Sequence, residues 1–223
     1  GGAELGEAWH QGGMREKKQN VFDDLYAVAD DVVTAGIADA KRRAVWGGSN
    51  GGLLTAVAVT QRPELWRAVV SSVPLCDMIR FPQFLIAKLW TGEYGDPAKE
   101  AEFPWLMAYS PYHHTKPGTA SPATFFLTAE GDSRVDPMHA RKFTALVQWA
   151  NEGVDGAHPA LFRLEKNAGH GGADLVKQNV QSYADQYAFL AWQLGVELRA
   201  EGETFNVPGG DGDDLTKPNV STP

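Results

Sequence analysis

A short glycine-rich segment holds the side chain best suited to chemistry in this sequence. Residues 42–52 read RRAVWGGSNGG, so that a predicted strand runs into Ser49 between two pairs of glycines. The segment fits the pattern G-x-S-x-G, in which a tight turn from strand to helix lifts a serine hydroxyl clear of a sheet. The same turn aims the first N–H groups of the helix, including that of Asn50, at a developing oxyanion. The segment therefore predicts a nucleophile, Ser49, and an oxyanion donor, Asn50.

A serine nucleophile needs a base, and the base needs a carboxylate that orients it. Asp132 follows the predicted strand TFFLTAE, and His170 follows the predicted strand LFRLEKN, each in a loop beside glycine. In parallel-sheet hydrolases with this serine motif, the three residues occur in the order Ser, Asp, His. A glycine-rich turn with a capping serine, the alternative in a chain with 24 glycines, explains neither loop. We therefore predict a triad of Ser49, Asp132 and His170.

Two other aspartates compete for the role of orienting acid. Asp77 also follows a predicted strand and is the second choice. Asp136 lies four residues after Asp132 and beside Pro137, so it is better explained as a helix cap.

The other five histidines have simpler explanations than catalysis. His113 and His114 could suggest a metal site, but no cysteine or carboxylate cluster has ligand spacing, and such a pair in a loop is usually polar surface. His139 falls early in a predicted helix, where we expect it to be exposed to solvent. His10 and His158 fall in predicted loops without a partner motif. We therefore predict neither a metal nor another cofactor.

Strands alternate with helices along most of the chain, which indicates an α/β fold with a mostly parallel sheet and helices on both faces. Strands are predicted near 42–47, 68–73, 123–129 and 160–166. Helices are predicted at 20–35, 51–63, 137–151 and 173–195. Segment 77–118 is aromatic and interrupted by proline, and we predict one or two helices there that cover the sheet. In a parallel sheet the carboxyl ends of the strands share one edge, where the predicted triad would meet.

Apolar residues at helical spacing define one face in each of the two long helices. In 20–35 the face consists of Val21, Leu25, Val28 and Val32, with Asn20 as the predicted N-cap and Gly36 after the end. In 173–195 the face consists of Val176, Val180, Tyr183, Tyr187 and Leu190.

The bulk composition narrows the class of protein. The 223 residues are enough for one domain with a stable core, and 43% hydrophobic and 22% charged residues are ordinary for a globular protein. A net charge of −8 argues against binding to nucleic acid or to a membrane surface, which favours clustered Lys and Arg. The single cysteine, Cys76, excludes an intrachain disulfide and suits a reducing compartment.

The two ends of the chain differ from the middle. The first residues, GGAELGEAWHQGG, lack both a signal peptide and an initiator Met, so they decide nothing about localisation. No apolar run is long enough to span a bilayer. The last segment is rich in Gly, Pro and Asp and poor in apolar residues. We predict a domain at 1–198 and a disordered tail at 199–223.

Several segments together resemble one known family. They are GGAELGEAWHQGGMREKKQNVFDDLYAVADDVV, GGSNGGLLTAVAVTQRPELWRAVV, LWTGEYGDP, YSPYHH, GDSRV and NAGHGG. From Gly1 to about Gly195, in order and with few gaps, the chain resembles the catalytic domain of prolyl oligopeptidases. The segments GSNGG, TQRP and EYGDP together are far more specific for this family than the pattern G-x-S-x-G alone. The resemblance implies a serine peptidase with an α/β-hydrolase domain and a β-propeller that screens substrates by size.

Site roles follow from the resemblance, motif by motif. It implies that Ser49 is the nucleophile, Asp132 the orienting acid and His170 the base, and that Asn50 supplies one oxyanion N–H. It further implies an apolar pocket for the proline before the scissile bond, with Trp90 stacked on the ring. Leu75, Tyr94 and Val135 match positions that line this pocket, and Arg134 matches the guanidinium that holds a substrate carbonyl. Without the resemblance, Trp90 reads as a core aromatic and Arg134 as part of a surface salt bridge.

The sequence departs from the family pattern at three places. Ser133 stands where many members have a second Asp, and GGADLV follows His170 where many have GAGKPT. The resemblance also begins after the first strands of the family's sheet, so the tyrosine that completes the oxyanion hole and the propeller are not matched. We therefore expect the C-terminal part of a longer peptidase, or a truncated copy, whose missing N-terminal part is its partner.

The sequence thus predicts cleavage of short peptides after proline through an acyl-enzyme. The alternatives are a related oligopeptidase or esterase with the same triad, and an inactive fragment. A peptide substrate is expected as partner, without nucleic acid or membrane. Most members of the family are cytosolic and some are exported, so we expect the cytoplasm and leave the periplasm and secretion open.

Overall fold

Four parallel strands, arranged across the main sheet in chain order, position the site. The computed structural model describes residues 1–200 and 203–205. The strands are β1 (Ala44–Gly48), β2 (Ala68–Ser72), β3 (Ala123–Ala129) and β4 (Ala160–Glu165). Each strand pairs in parallel with the next, in the order β1-β2-β3-β4. The four predicted strands and the parallel α/β architecture are confirmed.

The helices alternate with these strands. They are α1 (Glu7–Gln11), α2 (Gln19–Thr34), α3 (Asn50–Gln61), α4 (Thr91–Tyr94), α5 (Phe103–Met107), α6 (Pro111–His114), α7 (Met138–Ala150) and α8 (Val176–Leu194). Short 3-10 turns occupy Arg15–Lys17, Ala40–Arg42, Pro63–Leu65, Phe81–Gln83 and Ala87–Trp90. Among residues 1–200, no helix is both long and apolar enough to cross a bilayer.

Side-chain alternation in β2 and β3 separates the two faces of the sheet. Val69 packs with the core residues of α2 and α3, whereas Val70 packs with Phe189 of α8. In β3, Phe126 packs on α3 and α7, whereas the ring of Phe125 contacts that of Phe189 at a centroid distance of 5.4 Å. Because successive strand residues point to opposite faces, α3 and α7 cover one face and α8 covers the other. Helices on both faces are therefore confirmed.

Helix α2 forms where it was predicted but uses other residues. Its buried residues are Phe22, Tyr26 and Ala29, whereas Val28 is 60% exposed. The two aromatic rings bury the most area, and they turn their side of the helix toward α3. Asn20 is not the N-cap, because it lies inside the helix and its Nδ2 donates to Gly12 O at 2.7 Å.

The predicted apolar face of α8 exists but is exposed. Val176, Val180, Tyr183 and Tyr187 are all more than half exposed, and Leu190 is half-buried. The buried residues of α8 are instead Gln186, Phe189, Ala191 and Gln193. Trp46 of β1 contacts Tyr183 and Tyr187 at centroid distances of 6.1 and 5.3 Å. Within the described residues, this aromatic surface lies beside the unpaired side of β1.

Segment 77–118 does not form the one or two helices predicted. It contains three short helices, α4 to α6, and the 3-10 turns Phe81–Gln83 and Ala87–Trp90. Prolines 82, 97, 104 and 111 interrupt the segment, and proline cannot continue the hydrogen bonding of a helix interior. The segment covers the α3 face and contributes Phe81, Tyr94, Leu106 and Tyr109 to the core there.

Two small antiparallel sheets complete the described structure. Strands β5 (Ala168–Gly169) and β6 (Gly172–Ala173) form a tight hairpin after β4. Strands β7 (Leu198–Ala200) and β8 (Glu203–Phe205) follow α8. These last strands overlap the predicted disordered tail, of which residues 201, 202 and 206–223 lie outside the described residues.

Candidate active site

Ser49 sits in a strained turn between β1 and α3. Its φ of 58° and ψ of −115° are rare for any residue other than glycine. Two backbone hydrogen bonds hold it there: Ser49 N donates to Ser72 O at 2.9 Å, and Leu53 N donates to Ser49 O at 3.0 Å. The surrounding structure thus fixes a conformation that the chain would not otherwise choose. This geometry agrees with the tight turn predicted from the G-x-S-x-G pattern.

Two of the four glycines around Ser49 occupy positions that leave no space for a side chain. A Cβ at Gly47 would overlap the carbonyl oxygen of Gly51, and a Cβ at Gly52 would lie 2.8 Å from Ser72 O. At Gly51 nothing lies within 4 Å, and at Gly48 the nearest atom is at an ordinary 3.6 Å. Among these four positions, only 47 and 52 therefore exclude a side chain by close approach.

His170 lies between Ser49 and Asp132. Its Nε2 is 3.0 Å from Ser49 Oγ, and its Nδ1 is 2.8 Å from Asp132 Oδ2. A carboxylate only accepts hydrogen bonds, so Nδ1 carries the proton and Nε2 accepts from the serine hydroxyl. The three side chains predicted as a triad are thus brought together in one hydrogen-bonded chain.

The loop after β3 fixes the Asp132 carboxylate. Its side chain is fully buried, and Oδ1 accepts from Arg134 N at 2.8 Å and from Val135 N at 2.9 Å. These two bonds leave Oδ2 for His170. The carboxylate is therefore oriented by its own loop before any contact with the imidazole.

The β5–β6 hairpin carries His170 at its turn. Gly131 N donates to Ala168 O at 3.0 Å, which ties the hairpin to the loop that holds the acid. Asn179 of α8 accepts from Ala173 N at 2.9 Å and donates to Ala173 O at 2.7 Å. Gly172 has a φ of 106°, which glycine adopts at no steric cost. Two elements from different parts of the chain thus hold the imidazole in place.

The residues predicted to form the proline pocket lie in one apolar cluster on the α3 face. Leu75, Tyr94 and Val135 are at most 4% exposed and belong to the same core cluster, and half-buried Trp90 packs against it. The Tyr94 hydroxyl donates to Asn50 Oδ1 at 2.8 Å, which links this cluster to the start of α3. Arg134 is exposed. The structure thus groups four of the five predicted pocket residues.

A second space opens on the α8 side of the serine. This cleft of about 590 Å³ is lined by Ser49 and His170, by the ends of β1 to β3, and by the Tyr183 and Gln186 side of α8. Trp90 and Tyr94 do not line it. The reactive pair therefore lies between a buried apolar cluster and an open cleft.

Comparison with known proteins identifies the family. The family model described as "Prolyl oligopeptidase family" matches residues 1–197. The chain belongs to the prolyl oligopeptidase family. The resemblance drawn from the sequence motifs is therefore confirmed.

Relatives and solved structures agree with this membership. A prolyl oligopeptidase of Omphalotus olearius is 39% identical over 204 residues, which are 91% of this chain and 27% of the relative. A prolyl endopeptidase of Elizabethkingia miricola is 36% identical over 198 residues, or 88% of this chain and 28% of the relative. A structure from a study of two prolyl endopeptidases is 51% identical with a TM-score of 0.83, covering 88% of this chain and 28% of that one.

A further solved structure, prolyl oligopeptidase B from Galerina marginata, is 36% identical with a TM-score of 0.83. The match covers 90% of this chain and 28% of that one. The present chain thus spans little more than a quarter of the length of these relatives, and the shared part has the α/β-hydrolase fold.

The competing acids and most of the other histidines of this family member have structural partners. Asp77 pairs with Lys142 at 2.8 Å and Arg80 at 3.0 Å. Burial alone would raise the pKa of this carboxyl, but the hydrogen bonds from the two cations outweigh it and lower the pKa. Asp136 Oδ1 accepts from Met138 N at 2.8 Å, as a cap would. Neither carboxylate contacts the imidazole of His170.

The histidine pair lies in α6 rather than in a loop. His113 Nδ1 is 2.8 Å from Ser110 Oγ, and His114 Nε2 donates to Met107 O at 2.6 Å. In the described part of the chain, no group of three or more His, Cys, Asp or Glu side chains could hold a metal ion. His158 Nε2 lies 3.2 Å from Arg67 Nη1.

His139 contradicts the prediction of an exposed side chain, because it is only 2% exposed. Its Nδ1 accepts from Cys76 N and Asp77 N, and burial lowers its pKa to about 4. The sequence held a signal for this, since His139, Phe143 and Val147 recur at i, i+4 and i+8 and share the buried face of α7.

An ion pair that the sequence did not predict stabilises α4, the helix that contains the predicted pocket residue Tyr94. Lys18 is 2% exposed, and its Nζ donates to Glu93 Oε1 at 2.9 Å and lies 5.0 Å from the Tyr94 ring centroid. His10, which lies in α1 rather than in a loop, reaches the other oxygen of Glu93 at 2.8 Å. The hydrogen bonds to Glu93 and Glu7 raise the pKa of His10. These contacts join the N-terminal segment to α4.

Proposed function

We propose that this chain carries the catalytic triad of a serine peptidase that cleaves peptides after proline through an acyl-enzyme. The observation that carries the proposal is the hydrogen-bonded chain from Asp132 through His170 to Ser49, on the strained turn after β1. Membership of the prolyl oligopeptidase family supports the peptidase chemistry.

The spacing of residues in a relative supports the same assignment. Three structures of prolyl oligopeptidase B from Galerina marginata carry a serine, a histidine or an aspartate replaced by alanine, two of them bound to a peptide substrate of 35 residues. The serine and the histidine are 121 residues apart in that chain, as Ser49 and His170 are here. The aspartate lies between them, and its distance in sequence from the serine differs by one residue from the distance between Ser49 and Asp132.

The geometry suits acyl transfer. His170 Nε2 takes the proton from Ser49 Oγ as the oxygen attacks the carbonyl carbon, and Asp132 stabilises the imidazolium. The backbone N–H of Asn50, at the N-terminus of α3, faces the developing oxyanion. His170 then gives the proton to the leaving amine, and water repeats the sequence on the acyl-enzyme.

The apolar cluster offers a basis for proline selection. Proline is rigid and apolar, so an aromatic plate in a dry slot binds it with little loss of conformational entropy. Trp90 would stack on the ring, Leu75, Tyr94 and Val135 would form the walls, and Arg134 would hold a substrate carbonyl. The cytoplasm is the proposed compartment, because a single buried cysteine, Cys76, needs no oxidising environment.

The test uses the full-length protein. A fluorophosphonate should label the wild type at Ser49 and should not label Ser49→Ala. Ser49→Ala and His170→Ala should each lower kcat by about 10⁴ or more, because triad members act as a unit. Ser133→Ala, an exposed serine beside Asp132, is the matched control and should keep its activity.

The preferred substrate distinguishes a prolyl peptidase from the two alternative enzymes, a related oligopeptidase and an esterase. Rapid cleavage of a Z-Gly-Pro amide, with slow turnover of Z-Arg amides and p-nitrophenyl esters, is expected. Preference for an arginine amide or an ester would instead indicate a related oligopeptidase or an esterase. Retention of more than a few per cent of activity in Ser49→Ala would show that the nucleophile is misassigned.

A further inference from the structure

A buried imidazole outside the proposed triad connects two loops at the carboxyl edge of the sheet. The Nδ1 atom of His139 lies 3.3 Å from Cys76 N and 3.1 Å from Asp77 N. Those two N–H groups belong to the loop after β2, whereas α7 begins directly after the loop that follows β3. His139 therefore forms a polar link between segments that are 63 and 62 residues apart in the sequence.

The link requires one protonation state. A ring nitrogen that accepts two N–H groups cannot carry a proton, so the neutral imidazole is protonated at Nε2. Cys76 and Asp77 are both fully buried, as is the ring that they bind. If Nδ1 were lost, both N–H groups would need another acceptor, which requires an ordered water to enter the site or the loop to move, because buried N–H groups are almost always paired.

The rest of the loop after β2 is held in the same way. Val73 N donates to a carbonyl of β3 at 2.7 Å, and Met78 N donates to Ser110 Oγ at 3.0 Å. The N–H groups of residues 79 and 80 donate to Oδ1 of Asp77 at 3.2 and 3.1 Å. Between these anchors, the imidazole is the only side chain among the described residues that accepts from Cys76 N and Asp77 N.

The two linked loops supply two walls of the proposed proline pocket. Leu75 directly precedes Cys76, and Val135 lies four residues before His139. Both side chains are at most 2% exposed and belong to the apolar cluster against which Trp90 packs. Given the function proposed above, we infer that His139 is a positioning residue for proline selectivity, which sets the separation of the Leu75 and Val135 walls.

Two other contacts at this site could position the loop in place of the His139 hydrogen bonds, and each makes a different prediction. Lys142, also on α7, pairs with the Asp77 carboxylate, and the ring of His139 packs edge-on against Phe84 at 6.4 Å. If His139 only filled space, a phenyl ring would replace it without changing selectivity. If Lys142 alone held the loop, loss of the Nδ1 acceptor would leave the loop in place.

The experiment compares four variants of the full-length protein. His139→Phe keeps a ring but removes the acceptor, and His139→Leu is a smaller apolar variant in case the phenyl ring prevents folding. His139→Asn places an amide oxygen near the position of Nδ1, and Arg141→Ala changes an exposed residue of the same helix. For each variant, kcat and KM are measured on Z-Gly-Pro and Z-Gly-Ala amides, and hydrogen–deuterium exchange is measured for the peptide that spans 73–79.

The apolar variants should lower the Pro-to-Ala ratio of kcat/KM roughly tenfold, mainly through KM for the proline substrate. Exchange in 73–79 should become faster in the same variants. His139→Asn should restore most of both properties, and Arg141→Ala should match the wild type. An unchanged Pro-to-Ala ratio in both apolar variants, or an equal loss on both substrates without faster exchange, overturns the inference. A wild type without preference for proline would overturn the proposed function and this inference with it.

Discussion

At the scale of single residues, the indole of Trp90 is the most direct test of proline selection. It is half-buried against the cluster of Leu75, Tyr94 and Val135, so part of the side chain remains exposed. Removing a stacked indole should cost about 1–3 kcal/mol of transition-state binding. We expect Trp90→Ala to lower kcat/KM for a Z-Gly-Pro amide far more than for a Z-Gly-Ala amide. An equal fall for both substrates would assign Trp90 to the structure alone.

The buried His139 also predicts a dependence of stability on pH. Burial lowers its pKa to about 4 from an ordinary value of 6.5, so the unfolded chain binds the proton more tightly than the folded one. The contribution of the neutral imidazole is therefore complete above about pH 6.5 and is lost as the pH falls towards 4. The shift corresponds to about 3 kcal/mol over this range.

Thermal unfolding of the full-length protein at pH 7 and pH 5 measures this effect. The unfolding temperature should fall more for the wild type than for His139→Asn, which does not titrate. Burial also lowers the pKa of His113, which therefore contributes with the same sign, and the hydrogen bonds from Lys142 and Arg80 lower the pKa of Asp77. Only the difference between the two proteins therefore reports on His139. Parallel losses in both proteins would contradict the assignment.

Sequence patterns predicted the triad better than they predicted burial. The proximity of Ser49, Asp132 and His170 was predictable because each follows a strand and the strands are parallel, so local patterns sufficed to place them at one edge. His139 was placed wrongly because its helical spacing with Phe143 and Val147 was overlooked, and its hydrogen bonds come from a loop 62 residues away. Local sequence contains no information about that contact.

At the scale of elements, the turn between β1 and α3 makes a prediction that the motif alone does not. The pattern G-x-S-x-G treats its two glycines as equivalent, but a Cβ at Gly47 would overlap the Gly51 carbonyl, while Gly51 has open space. Gly47→Ala should therefore distort the turn and lower kcat by roughly 10²-fold, as a misplacement of about 1 Å would. Gly51→Ala, inside a helix, should retain activity and fold at least as stably.

These two variants control for each other, because both change glycine to alanine within the same motif. Steady-state kinetics on a Z-Gly-Pro amide, with thermal unfolding of each protein, decides between the two expectations. Equal loss of activity in Gly47→Ala and Gly51→Ala would mean that chain flexibility, rather than the close approach at Gly47, requires the glycines.

Element types were predictable where periodicity was strong, and boundaries where the chain had clear stop signals. Segment 77–118 was the exception, because its prolines divide it into turns that only tertiary packing on the α3 face stabilises. The face of α2 was misjudged for a related reason. Spacing favoured a stripe of valines and one leucine, whereas the rings of Phe22 and Tyr26 determine which side packs.

At the scale of the whole molecule, the surface beside β1 is the feature that the catalytic chemistry does not explain. Within the described residues β1 pairs only with β2, so its other side presents unpaired N–H and C=O groups. Trp46 is 37% exposed there, and the exposed α8 residues Val180, Tyr183 and Tyr187 extend the apolar surface. Apolar spacing correctly predicted that these α8 residues share one face. It could not predict that no described element covers that face.

This surface leads to a prediction for residues 1–223 expressed alone. An unpaired strand edge next to a contiguous aromatic patch favours association between copies. Ser49 follows directly on this edge strand, so loosening of β1 would also disturb the turn that holds the nucleophile. Only one oxyanion donor, the Asn50 N–H, is proposed among these residues, and one missing donor lowers kcat by roughly 10²–10³. We therefore expect the isolated chain to aggregate and to show little peptidase activity.

Size-exclusion chromatography, thermal unfolding and turnover of a Z-Gly-Pro amide test this expectation together. Trp46→Lys with Tyr187→Lys should reduce aggregation of the isolated chain, because charges on an edge strand and on its apolar neighbour oppose pairing. Ala98→Lys with Thr119→Lys, two exposed neutral residues outside this surface, adds the same charge and is the control that should not reduce it. Neither pair should restore the wild-type rate, since the changes add no oxyanion donor. A soluble wild-type monomer with a cooperative melt and rapid cleavage would show that the 223 residues suffice for both folding and catalysis.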